Sequence, residues 1–525
     1  MLSSDLNSIL TYRPSIISSW RTYFPYTDNS RTFLCNESDH EFLLLEELSS
    51  DIWHMISTHN TEAQWQNFLS QNDISIDELN DFIQELADSG LVSSTEHLIK
   101  NTNNKSTIIS NTENSEATSA NTLESEMKNW VESKGLIYAV HWEMTYRCNE
   151  VCIHCYNPGA AHETHEKPQR DTDELTTQEA LNLLEIMAKQ GVMRLTLTGG
   201  EVTLRKDFLQ ILAHARNLGF MVVIFTNGLK IKDTLLTQIA ELWPHGIEIS
   251  IYSHIPKKHD AITGVKGSFE RSLQTLRKFR ELGIRTTYKT TLMKTTVSDY
   301  HETRELGIKS AESVILTTMM SPGVDGKKAP LNHALSFSQL IALSATPESP
   351  LYVGNQKEGW RKANLNNKKM KPCGAGHASL AVTPDGDIFP CLAFPMKLGN
   401  IRTTGFEGVV QQQKLLPQSP VRNFNELSPS QLFAAWQSIR IEDLRECGTH
   451  DRCEWCGDIC PGDAYVQTKD PLAAAENHCR EAYARMTASQ EISAGLSLTD
   501  IYIKYNVTTD FGLSTQVEKP IKWHS

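Results

Sequence analysis

The sequence is organised around a short cysteine-rich stretch, Cys148-Asn149-Glu150-Val151-Cys152-Ile153-His154-Cys155. It follows an apolar run at residues 137–145 that is rich in strand-forming side chains, so we expect a loop that leaves a strand. Three thiolates at this spacing can hold three irons of a cubane [4Fe–4S] cluster, because such clusters are bound by cysteine and normally take four ligands. The fourth iron would stay open to a small molecule. The alternative is a closed zinc site completed by His154.

Composition places the chain among globular proteins and narrows its partners. It has 525 residues, of which 39% are hydrophobic and 22% charged, and this length predicts two to four domains. The net charge of −13 argues against nucleic-acid binding, which needs a basic surface. No apolar run approaches a membrane span, and the first residues lack the basic and apolar regions of a signal peptide. We therefore expect a cytoplasmic protein with no membrane partner, in which clustered cysteines bind metal rather than form disulfides.

Strand-like and helical stretches alternate after residue 135. Helices are expected at residues 177–190, 206–218 and 269–282. Alternation with short links predicts a parallel sheet, and six such units make a partial (β/α)6 TIM-type barrel with its chemistry at the carboxyl ends of the strands. The expected strands are residues 137–145, 192–198, 220–226, 246–252, 284–292 and 313–318.

Further polar motifs fall at the ends of these strands. Gly199-Gly200-Glu201 ends the second strand, where two glycines let the backbone approach a ligand and the acid can meet an ammonium group. Asn227-Gly228 ends the third strand and Ser250 lies near the end of the fourth. Gly-Gly-Glu alone predicts only a turn, but its position on the strand that follows the cysteine loop indicates a shared site.

The C-x3-C-x2-C spacing and the Gly-Gly-Glu motif resemble the signatures of the radical S-adenosylmethionine (SAM) superfamily. The resemblance implies that Cys148, Cys152 and Cys155 hold the cluster that cleaves SAM. The amino and carboxylate groups of SAM would chelate the open iron, and its reductive cleavage would yield a 5′-deoxyadenosyl radical. His154 stands where the family usually has an aromatic residue. The resemblance assigns SAM binding to Gly199, Gly200, Glu201 and Ser250. Asn227 is also expected to line the cofactor site because of its position at a strand end, and the alternative is that Asn227-Gly228 forms only a turn.

A second field of seven cysteines lies towards the carboxyl end. Their short intervals favour metal binding, with zinc as an alternative that could recruit His450 or His478. The field resembles the SPASM domain, which binds two auxiliary [4Fe–4S] clusters and would bring the total to three. The resemblance assigns one cluster to Cys373, Cys391 and Cys460, a set that could leave one iron open. It assigns the other to Cys447, Cys453, Cys456 and Cys479.

The pattern of apolar residues in the segment 31–100 predicts a small α+β module. Two short apolar runs, at residues 32–35 and 41–45, precede three helical patterns. The order resembles the PqqD-like peptide-recognition element, a winged-helix-like fold that captures the leader of a ribosomally made precursor peptide as an added strand. The alternative is a helical oligomerisation or regulatory domain.

These observations predict six segments along the chain. Residues 101–134 are rich in Asn, Ser, Thr and Glu, and cannot bury enough apolar surface to order themselves. The expected organisation is a recognition domain at 1–100, a flexible linker at 101–134, a radical SAM barrel at 135–330, a connector at 331–365, a SPASM domain at 366–485 and a tail at 486–525.

The resemblances together imply an enzyme that modifies a ribosomally synthesised precursor peptide. Residues 31–100 would bind its leader, and hydrogen abstraction from its core would lead to a C–C, C–O or thioether crosslink while auxiliary clusters accept the surplus electron. A flavodoxin or ferredoxin would supply electrons. One alternative is oxidation of Cys or Ser in a client protein, as in anaerobic sulfatase maturases. Another is a non-catalytic, zinc-containing peptide-binding protein.

Overall fold

The computed structural model divides the chain into two compact units, Met1–Lys134 with Ala188–Met193 and Gly135–Met187 with Arg194–Ser525. The predicted linker at 101–134 lies outside the described residues. No helix in the described part of the chain is both long enough and apolar enough to cross a membrane. The structure describes residues 12–14, 20–23, 31–36, 41–57, 62–88, 91–94, 136–157, 173–354, 368–412, 424, 427–457, 459–508 and 511.

The first unit combines two small antiparallel sheets with three helices. Its strands are β1 (Tyr12–Pro14), β2 (Trp20–Tyr23), β3 (Arg31–Asn36), β4 (Glu41–Glu46) and β5 (Val92–Ser94), and its helices are α1 (Glu47–Ser57), α2 (Glu62–Asn72) and α3 (Ile76–Asp88). Strands β2, β3 and β4 pair in that order, and β1 pairs with β5. Helical spacing on α3 buries Leu79, Ile83 and Leu86 against Trp53 and Trp65. The expected runs and helices are confirmed, whereas β1 and β2 are too short to leave a pattern in the sequence.

The second unit contains the predicted parallel sheet. Its six strands are β6 (Ala139–Thr145), β7 (Arg194–Gly199), β8 (Met221–Thr226), β9 (Gly246–Ser250), β10 (Thr286–Thr291) and β11 (Ser313–Thr317). Each strand pairs in parallel with the next one along the chain. The helices between them are α4 (Thr177–Lys189), α5 (Phe208–Asn217), α6 (Asp233–Glu241), α7 (Pro256–Thr263), α8 (Ser268–Glu281) and α9 (Tyr300–Ser310). The partial barrel is confirmed, and all its carboxyl strand ends share one edge.

The cysteine-rich segment extends the same sheet beyond β6. Strand β12 (Ser379–Val382) pairs in parallel with β6, and β13 (Asp387–Phe389) and β14 (Gly399–Asn400) follow in antiparallel pairing. A turn joins β12 to β13 with Gly386 at φ 85°, where a side chain would be strained. The shared sheet holds the segment that leads to Cys391 beside the first barrel strand.

The connector and the tail share a helical core. Helices α10 (Phe337–Ala345), α11 (Phe406–Gln412), α12 (Pro429–Ser438), α13 (Pro461–Thr468), α14 (Glu476–Ser493) and α15 (Leu498–Lys504) complete the described part of the unit. Buried residues of α10, α14 and α15 form one apolar cluster. Helix α14 therefore runs across the predicted domain boundary at 485, because Ala484 and Ala488 continue its buried face.

Candidate active site

The first cysteine loop is held in place by backbone hydrogen bonds to α7. Val151 N–H donates to Thr263 O at 2.8 Å, and Ile153 N–H donates to Ile262 O at 3.1 Å. The turn closes on itself where Cys155 N–H donates to Cys152 O at 3.1 Å. The loop is thus fixed on both sides of Cys152 by groups that do not depend on a ligand.

All three thiols of this loop line one cavity of about 390 Å³. Burial raises the pKa of the Cys148 thiol to about 12, opposed by a backbone hydrogen bond from Glu150 and reinforced by the negative charges of Glu150, Glu201 and Cys155. Burial also raises the pKa of the Cys152 thiol well above its ordinary value, reinforced by Glu150 and the other two thiols. Three converging thiols that crowd one another as anions are a donor set suited to a metal cluster, whose positive irons displace the protons.

Gly199 and Gly200 permit close contact between the second strand end and the cysteine loop. Gly200 N–H donates to Thr145 O at 2.7 Å. A Cβ at Gly199 would lie 2.3 Å from Thr145 O, and one at Gly200 would lie 2.3 Å from Arg147 O. Both glycines also line the cavity. From the sequence we expect these glycines to let the backbone come close to a ligand. The structure shows that they also let two backbone segments come close to each other.

Glu201 lies beneath the cavity wall and joins neighbouring strand ends. It is 1% exposed. Thr226 Oγ1 lies 2.8 Å from both carboxylate oxygens, Asn227 N–H donates at 2.8 Å, and Thr203 Oγ1 donates at 2.6 Å. Among the described residues, the cavity lining includes the two glycines but not Glu201. The carboxylate is therefore positioned to hold the second and third strand ends together, and direct contact with SAM stays a prediction.

Asn227 connects the third strand end to the cysteine loop. Its Nδ2 donates to Asn149 Oδ1 at 2.6 Å and lies 3.9 Å from Cys148 Sγ. Its Oδ1 accepts from Leu229 N–H at 2.9 Å, which fixes the orientation of the amide. Asn227 and Ser250 both line the cavity, so four of the five residues assigned to SAM do so.

A charged pair on the fourth and fifth strands also lines the cavity. Lys289 Nζ lies 3.1 Å from Glu248 Oε2 and 3.9 Å from the centroid of the Phe225 ring. Lys289 is aligned with Ser250 across the two parallel strands. Glu248 was not predicted from the sequence, although its spacing of two residues from Ser250 places both side chains on the same face of a strand.

His259, to which the sequence assigned no role, belongs to α7. It is fully buried, and its Nδ1 accepts from Tyr252 N–H at 3.1 Å while its ring stacks on Tyr252 at 5.6 Å. Tyr252 in turn meets the His154 ring edge-on at 4.6 Å. His154 therefore packs as an aromatic side chain against the cavity wall.

Four of the carboxyl-terminal cysteines gather around the loop before α13 and the start of α14. Burial raises the pKa of the Cys447 thiol, and Cys479, Cys453 and Cys456 are the next causes, so all four thiols lie near one another. Cys453 belongs to a 3-10 turn at Asp451–Trp455, whereas Cys479 belongs to α14. These are the four cysteines that the resemblance assigned to one auxiliary cluster.

The other three cysteines meet at the amino end of α13. Cys460 caps this helix, and its thiol has a pKa raised by burial, with Cys391 and Cys373 among the further causes. Cys391 follows β13, so its position depends on the extension of the sheet. The seven cysteines thus fall into two groups with the same members as the two sets that the resemblance assigned, and their roles as cluster ligands stay a prediction.

Comparison with protein families identifies two domains. The model of the radical SAM superfamily matches residues 142–307, which cover the cysteine loop and most of the barrel. The model of the SPASM iron–sulfur cluster-binding domain matches residues 373–461, which contain six of the seven carboxyl-terminal cysteines.

Related proteins share part of this chain. PqqA peptide cyclase of Rhizobium meliloti is 27% identical over 48% of this chain and 66% of its own length. Fe-coproporphyrin III synthase of Methanosarcina barkeri is 33% identical over 30% of this chain and 38% of its own length. The chain thus spans less than two thirds of either protein. Mycofactocin maturase MftC of Mycolicibacterium smegmatis is 26% identical over 59% of this chain and 76% of its own length.

Among solved structures, the chain is similar to Streptococcus suis SuiB bound to the precursor peptide SuiA. The match has a TM-score of 0.47 and 14% identity, and it covers 89% of this chain and 99% of SuiB. The domain matches agree with the donor set of the cysteine loop and with the parallel sheet. The chain therefore carries a radical SAM domain and a SPASM domain, and it is an enzyme whose cofactors are SAM and [4Fe–4S] clusters.

Proposed function

We propose that the enzyme modifies a ribosomally synthesised precursor peptide by removing a hydrogen atom from it and installing a C–C, C–O or thioether crosslink. The observation that carries this proposal is the convergence of three loop thiols and four SAM-assigned residues on one cavity. Relatives named as a peptide cyclase and as a mycofactocin maturase support a peptide substrate.

The chain's own residues would bind and orient the reactants. When bound, SAM and its cluster would supply the radical chemistry that removes a hydrogen atom from the substrate. Cys148, Cys152 and Cys155 would hold the cluster, and the fixed amide of Asn227 would keep the loop against the third strand. Tyr252 and His259 form a packed wall that would exclude water from the cavity. The protein thus contributes position and shielding, while the cofactor supplies the reactivity.

The pair of Glu248 and Lys289 would orient polar groups of the substrate. The side chain of Lys289 is one-third exposed, and its Nζ forms an ion pair with Glu248. An ammonium group has three donors, so two remain to meet backbone carbonyls of a peptide. Replacement of Lys289 by Met should raise the peptide concentration needed for half-maximal turnover.

The first unit would recognise the leader of the precursor in the manner of a PqqD-like element. In its three-stranded sheet β3 is central, so β2 and β4 form the two edges of the described sheet. An added peptide strand needs an edge of this kind, because main-chain hydrogen bonds supply the affinity. Residues 31–100 would therefore bind the leader.

A cytoplasmic flavodoxin or ferredoxin would reduce the cluster.

The test is anaerobic turnover with SAM, dithionite and a precursor peptide encoded beside this gene. We expect mass spectrometry to show loss of two hydrogen atoms and fragmentation to place a crosslink between two residues. Deletion of residues 1–100 should weaken leader binding while slow SAM cleavage without peptide continues. A product with one oxidised Cys or Ser and no crosslink would contradict the crosslinking proposal, and unchanged leader binding would contradict the recognition role.

A further inference from the structure

Asp463 lies in the first turn of α13, directly beside a cysteine of the second group. Cys460 caps this helix and Pro461 opens it, a position that suits proline because no backbone donor is lost there. Asp463 N–H donates to Cys460 Sγ at 3.4 Å. The helix turn therefore fixes the carboxylate of Asp463 next to the Cys460 thiol.

The two carboxylate oxygens of Asp463 have different surroundings. Oδ2 accepts from Asn477 Nδ2 at 2.7 Å, lies 3.1 Å from His478 Nε2 and accepts from Ser321 Oγ at 3.2 Å. Oδ1 is buried and has no hydrogen-bond partner among the described residues, although the whole residue is only 1% exposed. Burying a carboxylate oxygen without a hydrogen-bond partner destabilises the fold, so the presence of this oxygen needs an explanation.

The Asp463 carboxylate lies beside the Cys460 thiol. A carboxylate oxygen of Asp463, Cys460 Sγ and a ring nitrogen of His478 all lie within 4.8 Å of one another. Asp463 is also among the causes, after burial, that raise the pKa of the Cys460 and Cys391 thiols. The Asp463 carboxylate therefore lies near both thiols.

We infer that Asp463, through Oδ1, is the fourth protein ligand of the auxiliary [4Fe–4S] cluster held by Cys373, Cys391 and Cys460. This inference rests on the assignment of those three cysteines to one cluster. Three donors hold one oxygen and leave the other bare, which is the arrangement of a carboxylate positioned to bind through a single atom. The cluster would then have four protein ligands and no iron open to substrate, so it would transfer electrons rather than bind the peptide.

The test uses the full-length chain with Cys148, Cys152 and Cys155 all replaced by Ala, so that only the auxiliary clusters contribute. After anaerobic reconstitution we expect about eight irons per chain. Asp463→Ala should expose one labile iron, so that mild oxidation releases about one iron per chain and produces the EPR signal of a three-iron cluster. Asp463→Cys should restore the full iron content and abolish that signal.

Asp463→Asn provides a second readout with almost no change of shape. It removes one negative charge from the cluster environment, so the midpoint potential of this cluster should become more positive. Asn477→Ala is the matched control, because it removes a donor to Oδ2 and leaves Oδ1 in place. It should release no iron on mild oxidation.

Three results separate the possible failures. If His478→Ala releases the iron and Asp463→Ala does not, the ligand is His478 and the inference is overturned. Zinc bound in proportion to the chain, and lost in Asp463→Ala, would also overturn it. If Cys391→Ala keeps all of its iron, the assignment of the three cysteines fails instead.

Discussion

The two cysteine regions of this enzyme bring their thiols together in different ways. The three thiols of the first region lie within eight residues on one loop, which two backbone hydrogen bonds fix to α7. The thiols of the second region come from separate turns and helices between Cys373 and Cys479. Local spacing therefore determines the first donor set, whereas the second depends on the packing of the whole domain.

The sharpest test of this comparison is Cys152→Ala in the first loop. Cys152 is the middle thiol of the cavity, and its loss leaves two ligands where a cubane cluster needs at least three. We expect complete loss of SAM cleavage and a fall in iron from about twelve to about eight per chain. Chemical iron analysis and release of 5′-deoxyadenosine measure the two effects. Continued turnover in this variant would contradict the assignment of the loop.

Cys479→Ala should affect the second region alone. Cys479 lies on α14, and its removal should cost about four irons per chain. We expect SAM cleavage without peptide to continue, because the first loop draws none of its ligands from this helix. The same iron and nucleoside assays apply. Loss of SAM cleavage together with the iron would show that the two regions do not fold independently.

Gly200→Ala should reduce SAM cleavage by displacing the backbone of the first cysteine loop, without removing any of its thiols. The new Cβ would lie 2.3 Å from Arg147 O and 2.7 Å from Tyr146 O, so the entry to the cysteine loop must shift. We expect the rate of SAM cleavage to fall at least tenfold, which corresponds to an increase of about 1.4 kcal/mol in the activation free energy. Gly246→Ala is the matched control, because its nearest contact is 3.7 Å. Equal activity in the two variants would refute the requirement for close approach.

Thr226→Val should destabilise the strand ends below the first site. It removes a hydroxyl that donates to the buried Glu201 carboxylate. Because a buried charged group loses a donor, we expect a decrease of about 1–3 kcal/mol in the free energy of unfolding. Thr237→Val serves as an exposed control and should change stability by less than about 0.5 kcal/mol. Urea unfolding of both variants would measure the difference.

The smallest effect is expected at the Glu179–Arg402 ion pair, which links α4 to the segment after β14. Arg402 holds the pKa of Glu179 at about 2, helped by hydrogen bonds from Thr176. This depressed pKa stabilises the fold above the carboxyl's ordinary value of 4.5, and the contribution is lost as pH falls towards 2. Both side chains are partly exposed, so solvent screening limits the effect of Glu179→Gln to about 0.5 kcal/mol near neutral pH. Unfolding at pH 7 and pH 3 should show a smaller difference at the lower pH.

The comparison also explains which parts of the structure could be predicted from sequence. The barrel strands follow from alternating apolar runs, and the site at their ends follows from parallel topology. The direction of the Glu201 side chain could not be predicted, because it depends on donors from the next strand end. The extension of the sheet by β12 and the run of α14 past residue 485 depend on contacts between distant segments. The role inferred for Asp463 has the same origin, since its neighbours Ser321 and Asn477 are remote in sequence.

The most direct test of the central claim is pulsed EPR of the reduced enzyme with SAM labelled at its amino nitrogen. Three thiols on one loop leave one iron without a protein ligand, so we expect hyperfine coupling between the label and the cluster. The coupling should disappear in Cys152→Ala. Absence of coupling in fully reconstituted protein, or a zinc ion bound by Cys148, Cys152 and Cys155, would contradict the account.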